Sequence, residues 1–476
     1  MRQGRRPRGK EQYSVQTLDE SGVVVDDFVG KLLAALPAGQ VSMDPAVCSG
    51  YATDQGPVTA YAEPLAVVWA LDAGDVQAVM RLATEYRVPV VARGAGTGVS
   101  GGAQASAGCI VLSLERMNRI LELNAADEVA VVEPGVLNAD LSGAAAPYGL
   151  MFAPDPASFR ISTIGGNIAT NAGGLRCAKY GVTRDSVLAL DVVLADGTLI
   201  HTGHRSFKGV AGYDLTSLFV GSEGTLGIVV AATVRLRYLP VETRTLAIFF
   251  EHFTTAAAGV LAVGRARVQP AIMELLDGNS LLELDGRLGS DLAARGNALL
   301  LIQTDGLGAD AEAAVIQHAL ADLGGLVSSE DPQEAQRLLD LRRNSRGTEA
   351  DPENRVGEDV AVPRSRLVDY IGELERMAAV HGVGLRVVAH AGDGNLHPTF
   401  WTPGTDPASR TALDAALDES VEVALAMGGT ITGEHGVGSF KRRWLPLEQA
   451  PEVLELQQRI KSLFDPFGIL NPGKAI

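Results

Sequence analysis

The sequence predicts an α+β fold in two main units, and three observations carry that prediction. Apolar stretches with strand character alternate with stretches of helical periodicity along the 476 residues. Glycine, asparagine and threonine gather in three clusters in the first half. After Pro240 the texture changes to strands alternating with amphipathic helices, the pattern of an antiparallel sheet with helices on one face. The predicted units are a tail and first helix over 1–40, a first domain over 41–240, a second over 241–429 and a C-terminal segment over 430–476.

In chain order, VVVDDFVGKLLAAL (23–36) reads as a helix and PLAVVWAL as a strand. AGDVQAVMRLATEYR (Ala73 to Arg87) is a helix, and VPVVARGAGTGVSGG is a strand running into glycine. CIVLSLERM and EVAVVEPGV are strands, and Asp155 to Gly181 is rich in Gly, Asn, Ser and Thr. LALDVVLADGTLIHT carries a hairpin signal, Asp196-Gly197 between two apolar runs, and IVVAATVRLRYLP closes this half. Beyond it LAIFFEHF, QPAIMELLD and NALLLIQTD are strands. TTAAAGVLAVGRARV, the 309–323 stretch and RLVDYIGELERMAAVHG (Arg366 to Gly382) are helices. From about Thr430 the chain reads as loop, then helix, and ends in FDPFGILNPGKAI.

Composition narrows the function. Hydrophobic residues make up 46% and charged residues 20%, so a chain of this length buries a sizeable core without staples. A net charge of −17 disfavours nucleic acid and anionic membranes as partners, because both require clustered Lys and Arg. An anionic substrate would need positive potential supplied locally. Cys48, Cys109 and Cys177 lie far apart with no CxxC, which indicates neither a disulfide framework nor an iron–sulfur cluster. A reducing, cytoplasmic setting is expected, with attachment to the inner membrane through a partner left open. The basic start MRQGRRPRGK lacks an apolar stretch behind it and reads as a disordered tail. No apolar run is long enough to span a bilayer.

Gly96 to Gly101 (GTGVSG) matches G-x-G-x-x-G after a strand, but the dinucleotide reading fails on spacing. Only AQASAG separates Gly102 from the next strand, too little for a crossover helix. Glycines can instead let successive backbone N–H groups converge on an anion. RGAGTGVSGG offers Arg93, Gly94, Ala95, Gly96, Thr97, Gly98, Gly101 and Gly102 around a pyrophosphate. STIGGNIATNAGG adds Ser162, Thr163, Gly165, Gly166, Asn167, Ala169, Asn171, Gly173 and Gly174. VGSEGTLGI adds Glu223, Gly224, Gly227 and Ile228. Three such clusters point to a large phosphate-bearing cofactor.

PVVARGAGTGVSGG, PDPASFRISTIGGNIATNAGG, KYGVTRDSVLALDVVLADGT and FVGSEGTLGI resemble the FAD-binding domain of the vanillyl-alcohol-oxidase/PCMH-type flavoproteins. HAGDGNLHP, TGEHGVG and FDPFGILNPGK are similar to the D-2-hydroxy-acid dehydrogenase branch of that group. That branch holds the glycolate oxidase FAD subunit, D-lactate dehydrogenase and D-2-hydroxyglutarate dehydrogenase. The resemblance covers about residues 40 to 476. It implies a two-subdomain PCMH-type FAD-binding domain, an α+β cap domain for substrate and a C-terminal segment returning to the flavin. It implies that RGAGTG and IGGN line the FAD pyrophosphate. SEGTLGI and the pair Pro154-Asp155 would approach the flavin or ribityl part, and Asn471 of the C-terminal motif would join the cofactor site. Many members of the wider group carry a flavin-linking histidine where this chain has Thr97, so non-covalent FAD is expected.

HAGDGNLHP holds His390 and His397 around Asp393-Gly394, a favoured two-residue hairpin turn. Such a turn would set His390 directly opposite His397, with Cβ atoms about 4.5–5.5 Å apart and both rings able to reach one metal ion. A catalytic metal usually takes three protein ligands and keeps an open position. TGEHGVG supplies the candidate third ligand, Glu434, beside His435. Adjacent side chains diverge, so Glu434 as ligand and His435 as base is the economical division, and the resemblance implies the same roles. Two His and one Glu suit Zn²⁺, and also Mn²⁺, Fe²⁺ or Co²⁺.

These parts predict an FAD-linked D-2-hydroxy-acid dehydrogenase, an oxidoreductase acting on CH–OH, of the D-lactate or glycolate type. Its partners would be a small anionic 2-hydroxy acid and an external electron acceptor: a quinone, a cytochrome, an electron-transferring flavoprotein or an iron–sulfur subunit. The resemblance makes Arg342 the clamp for the substrate carboxylate. Arg346, Gly357 and Thr399 stand where hydroxyglutarate-type relatives carry Thr, Lys and Asn, which weakens that substrate assignment, while Arg346 could serve a second acidic group. The alternatives are an O2-using alcohol oxidase, a non-redox flavoenzyme like alkylglycerone-phosphate synthase, and a non-enzymatic electron-transfer or scaffolding subunit.

Overall fold

A computed structural model describes residues 23–329, 332–343 and 354–476. The first apolar run folds as the helix Val23–Ala35, which turns Phe28 and Leu32 into the first core. Ala66–Trp69, Ile110–Ser113 and Val90–Arg93 are almost entirely buried and form parallel pairs, with the short strand Val41–Ser42 antiparallel at the edge. Such continuous apolar strands require cover on both faces. The helix Ala73–Tyr86 supplies part of it through Val76, Val79, Met80 and Ala83, spaced three and four apart. Asp72 caps its N-terminus by accepting from Asp75 N (3.0 Å). No helix intervenes between Arg93 and Ile110, as expected from the short spacer.

A second sheet is antiparallel, in the order Ile120–Asn124, Val129–Val132, Ile228–Arg235, Val187–Val193 and Leu199–Gly203. Its predicted hairpin forms, with Asp196 and Gly197 inside the connection and Gly197 at φ +80°. Leu150–Met151 and Arg237–Tyr238 make a small two-stranded sheet.

The large antiparallel sheet begins at Thr243. Its order is Leu326–Ser329, Thr243–Phe250, Ala298–Asp305, Ile272–Asp277, Gly384–His390, Asn395–Thr402 and Asn354–Gly357, with Val360–Ala361 also on Asn395–Thr402. One face packs Ile248, Leu300, Leu275, Ala389 and Phe400 against the helices Phe253–Arg265, Ala309–Ala321, Leu367–His381 and Pro407–Ala426. The expectation of helices on one face needs correction. Two more helices, Gly278–Leu288 and Pro332–Arg343, pack on the second face with Phe249, Leu301 and Leu276. They leave part of that face to charged side chains: Glu274, His390 and His397 point there, alternating with the core residues of the same strands.

The C-terminal segment returns to the first sheet. Leu470 bridges to Val90 in parallel, and Asn471 Nδ2 donates to Gly102 O (2.9 Å) and Glu223 O (2.7 Å).

Candidate active site

The glycine clusters meet in one cleft. Arg93 to Gly98 and Gly102 line it on one side. Thr163, Gly165, Gly166, Asn167, Ala169 and Gly173 line it on another, with Glu223, Gly224, Gly227 and Ile228. Close approach explains two of the glycines: a Cβ on Gly94 would collide with Thr163, and one on Gly165 with Pro134. Seven expected cofactor residues do not line the cleft. Ser162 Oγ accepts from Asn167 Nδ2 (3.2 Å), and Asn171 Oδ1 caps Arg184 N (2.9 Å). Pro154 O accepts from Asn138 Nδ2 (2.9 Å). Asp155 faces Arg176 and Arg343, at 3.6 and 3.2 Å, with Gly174 packed against its carbonyl. Gly101 sits at φ +82° against Gln104 and Ser439, and Asn471 clasps backbone carbonyls from behind. Wall residues that sequence reasoning missed include Pro134, Ser158, Phe219 and Ser222.

Glu434 and His435 line the same cleft. A Cβ on Gly173 would stand 2.5 Å from Glu434 Oε2, so the second glycine cluster abuts the carboxylate directly.

The histidine hairpin forms in a different register from the one expected. His390 pairs with Asn395, and His397 with Val388, so the loop is Ala391–Gly394, four residues instead of two. Asp393 N and Gly394 N both donate to His390 O, at 3.3 and 3.2 Å. Gly394 takes φ +85° where a Cβ would strike Val362 O. The shift is two residues, which is the side-chain period of a strand, so both histidines keep the same face. They stand diagonally, with ring centroids 5.0 Å apart.

His390 Nε2 lies 3.1 Å and His397 Nε2 3.4 Å from Glu434 Oε1. The three ligand atoms fall within 4.8 Å of one another. Asp359, His397 and His435 form an overlapping group. Asp359 is the poorer ligand, because its oxygens already accept from Thr432 Oγ1 (2.8 Å), Asn395 Nδ2 (3.0 Å) and the N–H groups of Gly433, Glu434 and His435. The set His390, His397 and Glu434 fits a divalent ion. Its side chains are largely buried, two imidazoles and a carboxylate match the donor chemistry, and carboxylates stand behind both rings. Glu274 Oε1 holds His390 Nδ1 at 2.7 Å, and Asp359 Oδ1 lies 3.7 Å from His397 Nδ1. The His435 ring stacks on His397, centroids 4.9 Å apart and 12° from parallel.

Glu274 and Asp359 were not singled out from the sequence. Glu274 interrupts the apolar strand Ile272–Asp277, and a lone carboxylate in a buried strand is a signal for a partner. Its partners are His390, opposite it in register, and Arg342, whose Nε lies 2.6 Å from Glu274 Oε2. Burial pushes Glu274 up, but the Arg342 and His390 charges outweigh it and hold the carboxyl below the usual glutamate value. Arg342 lies in the last turn of the helix Pro332–Arg343, buried against Glu274, and is not among the residues that line the cleft. Arg346 lies outside the described residues; Gly357 and Thr399 face each other across paired strands. Glu223 is pushed up to about 7 by burial, against the pull of two backbone N–H groups.

Comparison with known proteins completes the picture. Residues 64–203 match the model of an FAD binding domain, and residues 239–475 that of the C-terminal domain of FAD linked oxidases. The glycolate oxidase subunit GlcD of Bacillus subtilis is 41% identical over 416 residues, 86% of this chain and 88% of that protein. The chain belongs to the FAD-linked oxidases. Another member, D-lactate dehydrogenase of Archaeoglobus fulgidus, is 36% identical over 418 residues, 87% of this chain and 92% of that protein. The fold is that of p-cresol methylhydroxylase (TM-score 0.77, 19% identity, covering 95% of this chain and 97% of that one). As an FAD-linked oxidase the chain is a flavoprotein oxidoreductase with the expected α+β, PCMH-type architecture. Among the described residues no helix is long and apolar enough to cross a membrane.

Proposed function

We propose that this FAD-linked oxidase is a divalent-metal-dependent dehydrogenase of a D-2-hydroxy acid of the D-lactate or glycolate type, yielding the 2-oxo acid. One observation carries the reading: Glu434 and His435 line the cleft that the glycine loops line, and the Glu434 carboxylate stands within ligand reach of His390 and His397. The names of the similar glycolate oxidase subunit and D-lactate dehydrogenase support the substrate class.

The reaction removes a hydride from C2 and a proton from the hydroxyl. Bound FAD would be held by the cleft walls that Arg93 to Gly98, Thr163, Gly165 to Asn167, Gly224, Gly227 and Ile228 provide, and would supply the hydride acceptor. His390, His397 and Glu434 would hold a divalent ion, with Zn²⁺ the first choice and Mn²⁺ or Fe²⁺ the others, and it would supply positive charge that eases loss of the hydroxyl proton. His435 takes the hydroxyl proton, a task suited to imidazole near neutral pH. Arg342, whose Nε is held on Glu274, is the proposed partner of the substrate carboxylate. Electrons then pass to an external acceptor. The three free cysteines accord with a cytoplasmic location.

The test is direct. D-lactate, glycolate and D-2-hydroxyglutarate are each added to the holoenzyme under nitrogen while the flavin absorbance is followed. Bleaching with D-lactate or glycolate is expected; an unchanged flavin with every acid defeats the reading. A second expectation concerns Thr97, which lines the cleft where relatives of the wider group carry a flavin-linking histidine. Acid precipitation should leave all yellow colour in the supernatant, and flavin remaining on the chain would refute non-covalent binding.

A further inference from the structure

The loop that carries Glu434 and His435 has almost no regular structure of its own, yet its backbone is tightly held. From Gly433 to Gly438, five N–H groups donate to two buried carboxylates. Asp359 Oδ2 accepts from Gly433 (3.0 Å), Glu434 (3.0 Å) and His435 (2.9 Å). Glu223 accepts from Val437 through Oε1 (2.7 Å) and from Gly438 through Oε2 (2.8 Å). The two carboxylates come from opposite sides. Asp359 adjoins the strand Asn395–Thr402 of the large sheet, and Glu223 belongs to the SEGTLG wall of the flavin cleft.

We infer that Asp359 and Glu223 are positioning residues, a pair of buried carboxylates that clamp the Gly433–Gly438 loop and so fix Glu434 and His435 relative to the flavin cleft. The inference rests on the reading of Glu434 as ligand and His435 as base. Hydrogen bonds to a charged acceptor are about twice as strong as neutral ones, so a carboxylate such as Asp359 holds the loop more firmly than an amide would. Asp359 is wholly buried and braced from behind, with Lys441 Nζ donating to its backbone carbonyl (2.8 Å) and lying 3.6 Å from its side chain. Both of Glu223's oxygens are used on this loop, although the residue also forms cleft wall. The glycines fit the clamp: a Cβ on Gly436 would stand 3.0 Å from Glu223 Oε1, and one on Gly438 would collide with Ser100 O. Asp359 and Glu223 therefore divide the work, the first on the half of the loop that carries Glu434 and His435 and the second on Val437 and Gly438.

The test uses FAD-loaded protein and Zn²⁺. Asp359→Asn keeps the size, removes the charge and turns an NH2 toward N–H donors. It should weaken Zn²⁺, measured by competition with a chelator and without substrate, by about 10–100-fold, with the flavin spectrum unchanged. Glu223→Gln should keep FAD and hold Zn²⁺ within about threefold of wild type. Its single-turnover flavin reduction by the hydroxy acid should slow by at least about tenfold, with substrate affinity little changed. Wild-type Zn²⁺ affinity in Asp359→Asn overturns the inference. So does loss of FAD in Glu223→Gln, which would make Glu223 a direct cofactor ligand. If Asp359→Asn does not fold, Thr432→Val deletes one hydroxyl donor to the same oxygen and should weaken Zn²⁺ by about threefold or more; an unchanged affinity there overturns the inference too. Zn²⁺ affinity is read without substrate, so a wild-type enzyme that no hydroxy acid reduces would defeat the functional reading and leave the clamp measurable.

Discussion

Replacing His435 by alanine is expected to lower turnover by about 10²–10⁴-fold while FAD stays bound. His435 lines the same cleft as the glycine loops, and its ring is parallel to that of His397. Its backbone N–H is fixed on Asp359, so the side chain is presented by a loop that does not depend on the imidazole. Truncation should therefore leave fold, flavin and ion set in place and remove the proton acceptor alone. The measurement is the rate of anaerobic flavin reduction at saturating D-lactate or glycolate, beside the flavin content of the purified variant. A rate equal to wild type removes His435 from the chemistry. A lost rate with lost flavin assigns it a structural role instead. His435→Gln, which keeps a polar side chain without a base of useful pKa, should fall as far as the alanine variant.

How much of this was legible in the sequence depended on how local each signal was. The histidine hairpin shows the distinction. Asp393-Gly394 between strand-like runs announced a turn, and the even displacement of the register kept His390 and His397 on one face. The turn size was misread because Gly394 is held against Val362, and nothing local to HAGDGNLHP reports that neighbour. Asp359 was invisible for the same reason: most of its donors lie more than 70 residues away, in a loop that reads as plain glycine. The helix Pro407–Ala426 was missed although its start is signalled, with Asp406 capping Ser409 N and Pro407 in the first turn. Its buried stripe uses Ala416, Ser420 and Ala424 beside Leu413, Leu417 and Val421, so small residues blurred the periodicity. Glycine loops were legible as a class, because glycine is required where backbones approach within a Cβ of each other. Which of their residues reach the cleft was not. Ser162 and Asn171 carry the right chemistry and spend it on neighbouring backbone and side chains.

Removing the divalent ion is expected to abolish turnover with FAD retained, and Zn²⁺ or Mn²⁺ to restore it. The ligand set makes the expectation specific. Glu434 Oε1 is shared between His390 Nε2 and His397 Nε2, and each imidazole has a carboxylate behind it, Glu274 or Asp359. Five acidic and imidazole groups converge here with little solvent, and a cation between them satisfies more of them than any arrangement of protons among them. Glu434→Gln separates the ion from the flavin. The amide keeps the size of the side chain and its N–H anchor on Asp359, but offers a weaker, neutral ligand. Ion content by elemental analysis should fall to near zero, flavin content should stay at one per chain, and bleaching by hydroxy acid should fail even with added Zn²⁺. His435→Ala should behave oppositely, losing turnover with the ion in place. Full activity in a demonstrably metal-free preparation would refute the ligand set. The double measurement of ion and flavin on one sample is therefore the decisive form of the experiment.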